Sequence, residues 1–427
     1  MRTRQQTLLR DSMRKLDLTR NAFAERIGVS RRALDTWLLP ASSGGHRAMP
    51  DVVAKMIASL PGLEPESAQA SSLRGRLGAD GKPHLLSVDV FDRSLAEEVL
   101  RVAESMEPIA RRRKVTRVLE GAVLGNLFFE PSTRTRVSFG AAFCRLGGSV
   151  CDTTGFTFSS MAKGESIADT SRVMSGYVDA IVVRHPEQGS VAQFAAATNV
   201  PVINGGDGPG EHPTQALLDL YTIRREFARL GKKIDGAHVA LVGDLKHGRT
   251  VHSLIKLLSL YRGMRFSFVA PASLEMPAEL VDLARKRGHK VRESASLAEG
   301  VKQPDILYAT RIQKERMSGE GIEAYPQSFR VDRALVAARC AADTVIMHPL
   351  PRDSTPGAND LSADLDRDPR LAIFRQTDSG IPVRMAIFAI LLGVEHLVMR
   401  DLRDAPWTTP VRLGPKDAPF HRVDQDS

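Results

Sequence analysis

The chain has 427 residues, 42% of them hydrophobic and 26% charged. That length is about twice the size at which one core stops growing, so two or three domains are expected. No apolar run reaches the roughly 18 residues of a membrane helix. The opening MRTRQQTLLRDSMRK lacks the apolar centre of a secretory signal. The three cysteines, Cys144, Cys151 and Cys340, form no CxxC pair or ligand cluster, which argues against a thiolate metal site and fits a reducing, cytoplasmic setting. The net charge of +9 is uneven: residues 1–60 hold eleven Arg or Lys against five Asp or Glu, leaving only +3 for the rest, so a polyanionic partner has to be sought at the front segment alone.

From Gln5 to about Leu60 the pattern is helical, in the runs LLRDSMRKL, TRNAFAERIG, SRRALDTWL and PDVVAKMIASL. Thr19 stands before one apolar-periodic run, and Ser30 follows Gly28 and Val29 as an N-cap for the next. Short helices separated by a turn at 28–30 form a helix-turn-helix-like domain over residues 1–60, and TRNAFAERIGVSRRALDTWL resembles a small repressor-type DNA-binding domain. In that arrangement Ala24 and Leu34 lie inside, while Ser30, Arg31, Arg32 and Asp35 face outward. Residues 61–84, rich in Pro, Gly and Ser, read as a linker.

After the linker, strand candidates LLSV, LGNLFF, SVCDTT, DAIVVR, VPVINGG, HVALVGD, RFSFVAP, HKVRES, DILYAT and TVIMHP alternate with helical stretches. That is the order of an α/β protein with parallel sheets covered by helices. The strongest break falls around 230–236. A helix from about Ile381 to Val394 is apolar on nearly every side, so it is expected to be buried and suited to packing back on the first α/β unit.

Polar features gather where strands give way to helices. In FFEPSTRTRVSF a strand runs into Pro131 and a helix starts near Ser132. The unpaired N–H groups of its first turn, with the hydroxyls of Ser132, Thr133 and Thr135, suit an oxyanion, and Arg134 or Arg136 supplies a charged fork. The glycines of a nucleotide P-loop are missing. Lys163 lies in the polar loop FSSMAKGES. Arg184 and His185 follow a strand directly, at the sheet edge where α/β ligand sites form. Gly-rich turns deliver His212, Pro213, Thr214 and Gln215 to a helix start, where the histidine serves either to donate to a carbonyl oxygen or simply to cap the helix. Arg249, then Arg311 with Gln313, then His348 to Arg352 sit at three further strand ends, a rational receptor for a substrate with several carboxylates.

In this order STRTR, KGES, RHP, HPTQ, VGDLKHGRTVHS, TRIQKER and HPLP resemble the aspartate carbamoyltransferase family over roughly residues 85–400. The resemblance implies a carbamoyl-phosphate domain (85–213, completed by a C-terminal helix at 381–400), an aspartate domain (214–380), a tail (401–427) and a homotrimer with shared sites. The implied fold is two parallel-sheet α/β domains of carbamoyltransferase type behind the small all-α domain. Position by position, Ser132, Thr133, Arg134 and Thr135 would hold phosphate; Arg184 and His212 would touch the carbonyl oxygen and Gln215 the carbamoyl nitrogen. Lys163, with Ser159 or Ser160, would come from the adjacent subunit and reach both substrates. Arg249, Arg311 and Gln313 would hold the aspartate carboxylates, and Leu350 and Pro351 would offer carbonyls. Arg134, Thr135, Arg184 and His212 would carry the catalysis, in pyrimidine biosynthesis, with no cofactor or metal.

The ornithine branch of this chemistry is disfavoured by HPLP, where ornithine enzymes resemble HCLP, and by arginines that would repel a cationic side chain. A weakly catalytic homologue kept for binding or regulation is the other alternative. Gly140 stands where the family commonly has an acidic residue, and DSTPGANDLSADLDRDPR is longer than the usual continuation of HPLPR and lacks its EI step. For the front segment, a role in assembly or regulation is favoured over DNA binding, and a second subunit type is left open.

Overall fold

The computed structural model describes residues 4–15, 18–40, 42–58, 73–77, 83–155, 160–311, 329–353 and 360–407. Ser159, Gln313 and most of the expected linker and tail lie outside them. The chain divides into two compact units, Met1–Ser72 and Leu73–Ser427. Among the described residues no helix is long and apolar enough to cross a membrane, and no cluster of His, Cys, Asp or Glu could hold a metal ion.

The front unit contains α1 (Arg4–Lys15), α2 (Arg20–Arg26), α3 (Arg31–Leu38) and α4 (Asp51–Ala58). Thr19 and Ser30 cap α2 and α3, their hydroxyls accepting from the backbone N–H groups of Ala22 and Ala33. Leu9, Phe23, Ala24, Ile27, Leu34 and Trp37 form its own small core, so Ala24 and Leu34 are inside as the sequence implies. Arg31 and Asp35 are outward, but they bond to each other at 2.8 Å, and Arg31 also donates to Asn21 at 2.5 Å.

In the second unit α5 (Arg93–Ser105) precedes a sheet of β1 (Val123–Phe128), β2 (Ser149–Thr154), β3 (Ala180–His185) and β4 (Val202–Asp207), with α6 (Thr133–Arg145), α7 (Ile167–Ser175) and α8 (Ser190–Ala196) between the strands. The spatial order is β2-β1-β3-β4, all parallel. Next, α9 (Pro213–Arg229), opened by a proline at its first turn, leads to β5 (His238–Val242), α10 (Arg249–Leu258), β6 (Arg265–Val269), α11 (Ala278–Lys286), β7 (Lys290–Ser294), β8 (Ile306–Ala309), α12 (Arg333–Arg339) and β9 (Val345–Met347). This second sheet is also parallel, in the order β9-β8-β5-β6-β7. Beyond β9 the chain forms α13 (Ile373–Asp378) and α14 (Gly380–Leu392).

Two expectations need correction. LLSV forms no strand: Leu85 makes one isolated bridge to Ile203, and Val88–Val90 is a 3-10 turn. The expected linker is not all solvated connection, because Leu73 and Leu77 are buried in the core of the second unit. Their apolar side chains outweigh the loop-like composition around them.

The apolar helix α14 is buried along nearly its whole length. Phe388 meets the rings of Phe139 and Phe143 on α6 edge-on, with centroids 6.0 and 4.9 Å apart. This helix near the C-terminus thus covers α6, the helix that follows β1.

Each sheet has one place where strand order reverses, between β1 and β3 in the first and between β5 and β8 in the second. Crevices open beyond the carboxyl ends of the strands at such points. Phe128 and Arg184 end the first pair; Val242 and Ala309 end the second, just before Gly243 and Thr310. The sequence motifs therefore lie where the topology places ligand sites.

Candidate active site

Beyond β1, Ser132 takes the N-cap position of α6 without spending its hydroxyl on the cap. The hydroxyls of Ser132, Thr133 and Thr135 and the first-turn N–H groups lie together at this helix start, as an oxyanion site requires. The two arginines differ. Arg136 pairs with Asp152 at 2.8 Å, fixing α6 to β2, whereas Arg134 makes no ion pair among the described residues and stands at the crevice. Arg134 is exposed at the rim, yet partial desolvation of its guanidinium, and then the like charge of Arg311, hold its pKa below the ordinary value. Two facing cations from the two sheets favour an anion between them.

Arg184 is aimed by a local irregularity: the register between β3 and β4 shifts between Val183 and Arg184, and such a bulge redirects a side chain. Its Nη2 lies 3.0 Å from Glu130 Oε2, and its Nη1 donates to the Gly205 carbonyl at 3.3 Å. Arg249, at the start of α10 and 5% exposed, approaches the same Glu130 oxygen at 3.7 Å and donates to the Gly208 carbonyl. Gly206, at φ +133°, leaves the space that both guanidiniums use: a Cβ there would come within 2.9 Å of Arg184 and 3.1 Å of Arg249. His185, by contrast, is buried; its Nδ1 accepts from the Glu187 N–H, and burial lowers its pKa, so it serves as a neutral structural group.

His212 is the buried N-cap residue of α9, without a side-chain cap bond, and its backbone N–H reaches Ser253 Oγ on α10 at 3.4 Å. One turn on, Gln215 Nε2 donates to Asp219 Oδ1 at 2.9 Å. Asp219 also accepts from Gln376 Nε2 and from the Tyr308 hydroxyl, both at 2.7 Å.

After β9 the HPLP loop is held by its own histidine. The His348 N–H donates to Gln376 Oε1 at 3.0 Å, its Nδ1 accepts from the Leu350 N–H at 2.9 Å, and its Nε2 lies 3.2 Å from Asp360. An acceptor at Nδ1 implies that the proton sits on Nε2 and points at Asp360. This loop keeps Leu350 in the left-handed region, at φ 55°. A cavity of about 340 Å³ is lined by Arg134, Leu350, Pro351, Arg352 and Phe374, among others. Arg352 is tied to Asp366 at 2.6 Å. Although the loop after Arg352 lacks the EI step, Asp360 and Leu361 provide a buried anchor for it.

The geometry joins Arg134 with Arg311, Leu350 and Pro351, and Arg184 with Arg249; His212 and Gln215 adjoin them through α10 and Asp219. It does not join Lys163, which lies exposed on the 3-10 turn Ser160–Lys163, without a hydrogen bond or ion pair to the others among the described residues. Glu130, Asp219, Tyr308, Gln376 and Asp360 were not singled out from the sequence. Glu130 stands inside the quoted FFEPS, and Asp219 is the polar break in the apolar run ALLDLY. Those were the available signals.

Residues 83–225 match the family model described as the carbamoyl-phosphate-binding domain of aspartate/ornithine carbamoyltransferase, and residues 235–391 match the Asp/Orn-binding domain. The aspartate carbamoyltransferase catalytic subunit of Dichelobacter nodosus is 57% identical over 341 residues, covering 80% of this chain and 98% of the relative. That of Archaeoglobus fulgidus is 46% identical, covering 72% and 98%. Among solved structures, aspartate transcarbamoylase from Trypanosoma cruzi in complex with carbamoyl phosphate and aspartate superposes with a TM-score of 0.67 at 37% identity, covering 75% of this chain and 97% of that one. The catalytic subunit from M. jannaschii gives 0.65 at 42% identity, covering 72% and 97%.

Proposed function

The chain belongs to the aspartate carbamoyltransferase family, and from that premise we propose that it transfers the carbamoyl group of carbamoyl phosphate to L-aspartate, giving N-carbamoyl-L-aspartate and phosphate for pyrimidine synthesis in the cytoplasm. The observation that carries this reading is the meeting of Arg184 and Arg249, from different sheets, on one Glu130 carboxylate. A site that brings cationic groups from two halves of the chain into one crevice suits two anionic substrates.

In this reading the α6 start binds the phosphate through Ser132, Thr133, Arg134 and Thr135. Arg184 and His212 direct donors at the carbamoyl oxygen, and Gln215 accepts from its nitrogen. Arg249, Arg311 and Gln313 take the carboxylates of aspartate, and the Leu350 and Pro351 carbonyls orient its amine. The amine attacks the carbamoyl carbon to form a tetrahedral intermediate, whose oxyanion is stabilised by Thr135, Arg184 and His212. Collapse breaks the bond to the phosphate oxygen, and the departing phosphate takes the amine proton. Holding two polar reactants in line supplies much of the remaining advantage. Lys163, with Ser159 or Ser160, serves a neighbouring subunit of a homotrimer, a reading that the exposure of Lys163 supports. Incubation of the purified chain with carbamoyl phosphate and aspartate yields carbamoyl aspartate and phosphate in equal amounts; product formation with ornithine instead of aspartate, or with neither, overturns the reading.

The front unit acts in assembly or regulation. Arg31, the outward arginine at the start of α3, is engaged by Asp35 and Asn21, and Arg20 also pairs with Asp35 at 3.3 Å, so these charges are partly compensated within the unit. Exposed Val52 and Met56 on α4 give it an apolar patch instead. Native mass of the chain with and without residues 1–72 tests this, an unchanged oligomer counting against it. Salt-dependent binding of duplex DNA at micromolar protein would favour the DNA reading.

A further inference from the structure

A carboxylate with no route to solvent lies behind the substrate-facing residues. Asp219, on α9, is fully buried. Its Oδ1 accepts from Gln215 Nε2 at 2.9 Å and from Gln376 Nε2 at 2.7 Å; its Oδ2 accepts from the Tyr308 hydroxyl at 2.7 Å. The donors come from three elements: α9 itself, α13 and β8. The Gln376 amide has only one orientation that works, since its Oε1 must accept from the His348 N–H at 3.0 Å while its Nε2 serves Asp219. The Gln215 amide is oriented by its bond to Asp219. With Nε2 committed to Asp219, its Oε1 turns the other way, and an oxygen is the atom that a carbamoyl amide N–H requires.

A second buried charge completes the arrangement. Arg384 on α14 donates to Ser138 Oγ on α6 at 2.7 Å and lies over the Phe139 ring at 4.7 Å. Burial pushes its pKa down to about 10, and the Asp219 charge works against that fall. The burial of Asp219 raises its pKa to about 7, against the three hydrogen bonds and Arg384. A buried group that disfavours its own charge, among residues that line a crevice, is more characteristic of a working site than of a packing solution.

We infer that Asp219 is a positioning residue for carbamoyl transfer: it orients the Gln215 amide at the carbamoyl end of the crevice and, through Gln376, the His348–Pro351 loop at the aspartate end. The inference rests on the reading of Gln215 as a ligand of the carbamoyl nitrogen. One acceptor therefore sets the geometry seen by both substrates.

The test compares Asp219→Asn with Asp219→Leu, which have similar size but differ in offering an oxygen, alongside Gln215→Ala and the Asp219→Leu/Gln215→Ala double variant. Thermal melts check that each variant folds. Asp219→Leu is expected to lower kcat/KM for carbamoyl phosphate about 10²-fold, the scale of misplacing a reacting group. Asp219→Asn, which can keep Oδ1 as the acceptor if Tyr308 turns its hydroxyl, retains about tenfold more activity than the leucine variant, and Asp219→Leu adds little to Gln215→Ala. Equal loss in the Asn and Leu variants, or full additivity with Gln215→Ala, overturns the inference. If Gln215→Ala itself is fully active, the ligand role of Gln215 fails instead, and the two failures are distinct. Should the leucine variant not fold, Gln376→Leu severs only the second arm. It is expected to raise KM for aspartate several-fold more than it weakens binding of phosphonoacetamide by calorimetry, and parallel changes, or no change in either, overturn the inference.

Discussion

Arg184 and Glu130 form a 3.0 Å ion pair in which the arginine side chain is only 11% exposed, and Arg249 from the other sheet leans on the same carboxylate oxygen at 3.7 Å. Removing the carboxylate leaves two enclosed guanidiniums facing each other without their shared counter-charge. Glu130→Gln is expected to lower kcat/KM by about tenfold or more, since breaking an enclosed pair by removing one partner costs several kcal/mol and misdirects both arginines. Steady-state kinetics with each substrate varied measures this, and wild-type constants would show that Glu130 is incidental.

Arg134 and Arg311 carry a different expectation. Arg134→Ala is expected to lose about 10²- to 10³-fold in kcat, the effect typical of removing a donor aimed at developing charge. Arg311→Lys keeps the charge but not the planar fork, so its cost falls mainly on the aspartate KM. If the Arg311 variant instead weakened carbamoyl phosphate alone, the division of the crevice into phosphate and aspartate sides would be wrong.

The raised pKa of Asp219 has a thermodynamic consequence with a definite sign. Its value of about 7 lies above the ordinary value near 4, so between these pH values the folded chain holds a proton that the unfolded chain has released. The stabilisation from this group is complete below about pH 4 and is lost as pH rises through about 7. Asp219→Asn lacks this titration, so the melting temperature of the variant should gain on wild type as pH is raised from 4 to 8. A constant difference across that range would mean that Asp219 titrates normally.

Gly140 lies within α6, and a Cβ built there meets only Val150, at 3.9 Å. Replacing a helical glycine with alanine where space is open removes backbone freedom from the unfolded chain. Gly140→Ala is therefore expected to stabilise the protein by about 0.5–1 kcal/mol. Chemical denaturation reads this directly, and a loss of stability would show that glycine meets a constraint beyond helix propensity.

The strand ends were legible because each carries its motif locally: STRTR after β1, Arg184 at the end of β3, Arg311 after β8. An alternation of apolar strand and helix needs only nearest neighbours to be recognised, and each of the nine strands of the two parallel sheets overlaps one of the proposed runs and extends at most a residue beyond it. LLSV was misread since its apolar residues suit a strand as well as they suit burial in the core, where Leu85 and Val88 lie. Glu130, Asp219 and Gln376 act through partners on other elements. No spacing rule announces that an acid in FFEPS meets Arg249, or that an aspartate in an apolar helix sorts the ends of two amides.

The bond between Arg384 and Ser138 spans 246 residues of chain, and Phe388 caps Phe139 and Phe143 over a similar separation. During synthesis the first sheet emerges long before the helix that seals it, so Phe139 and Phe143 remain uncovered until α14 has left the ribosome. A messenger truncated upstream of Gly380 would therefore yield a sticky, unfinished product rather than a smaller stable one.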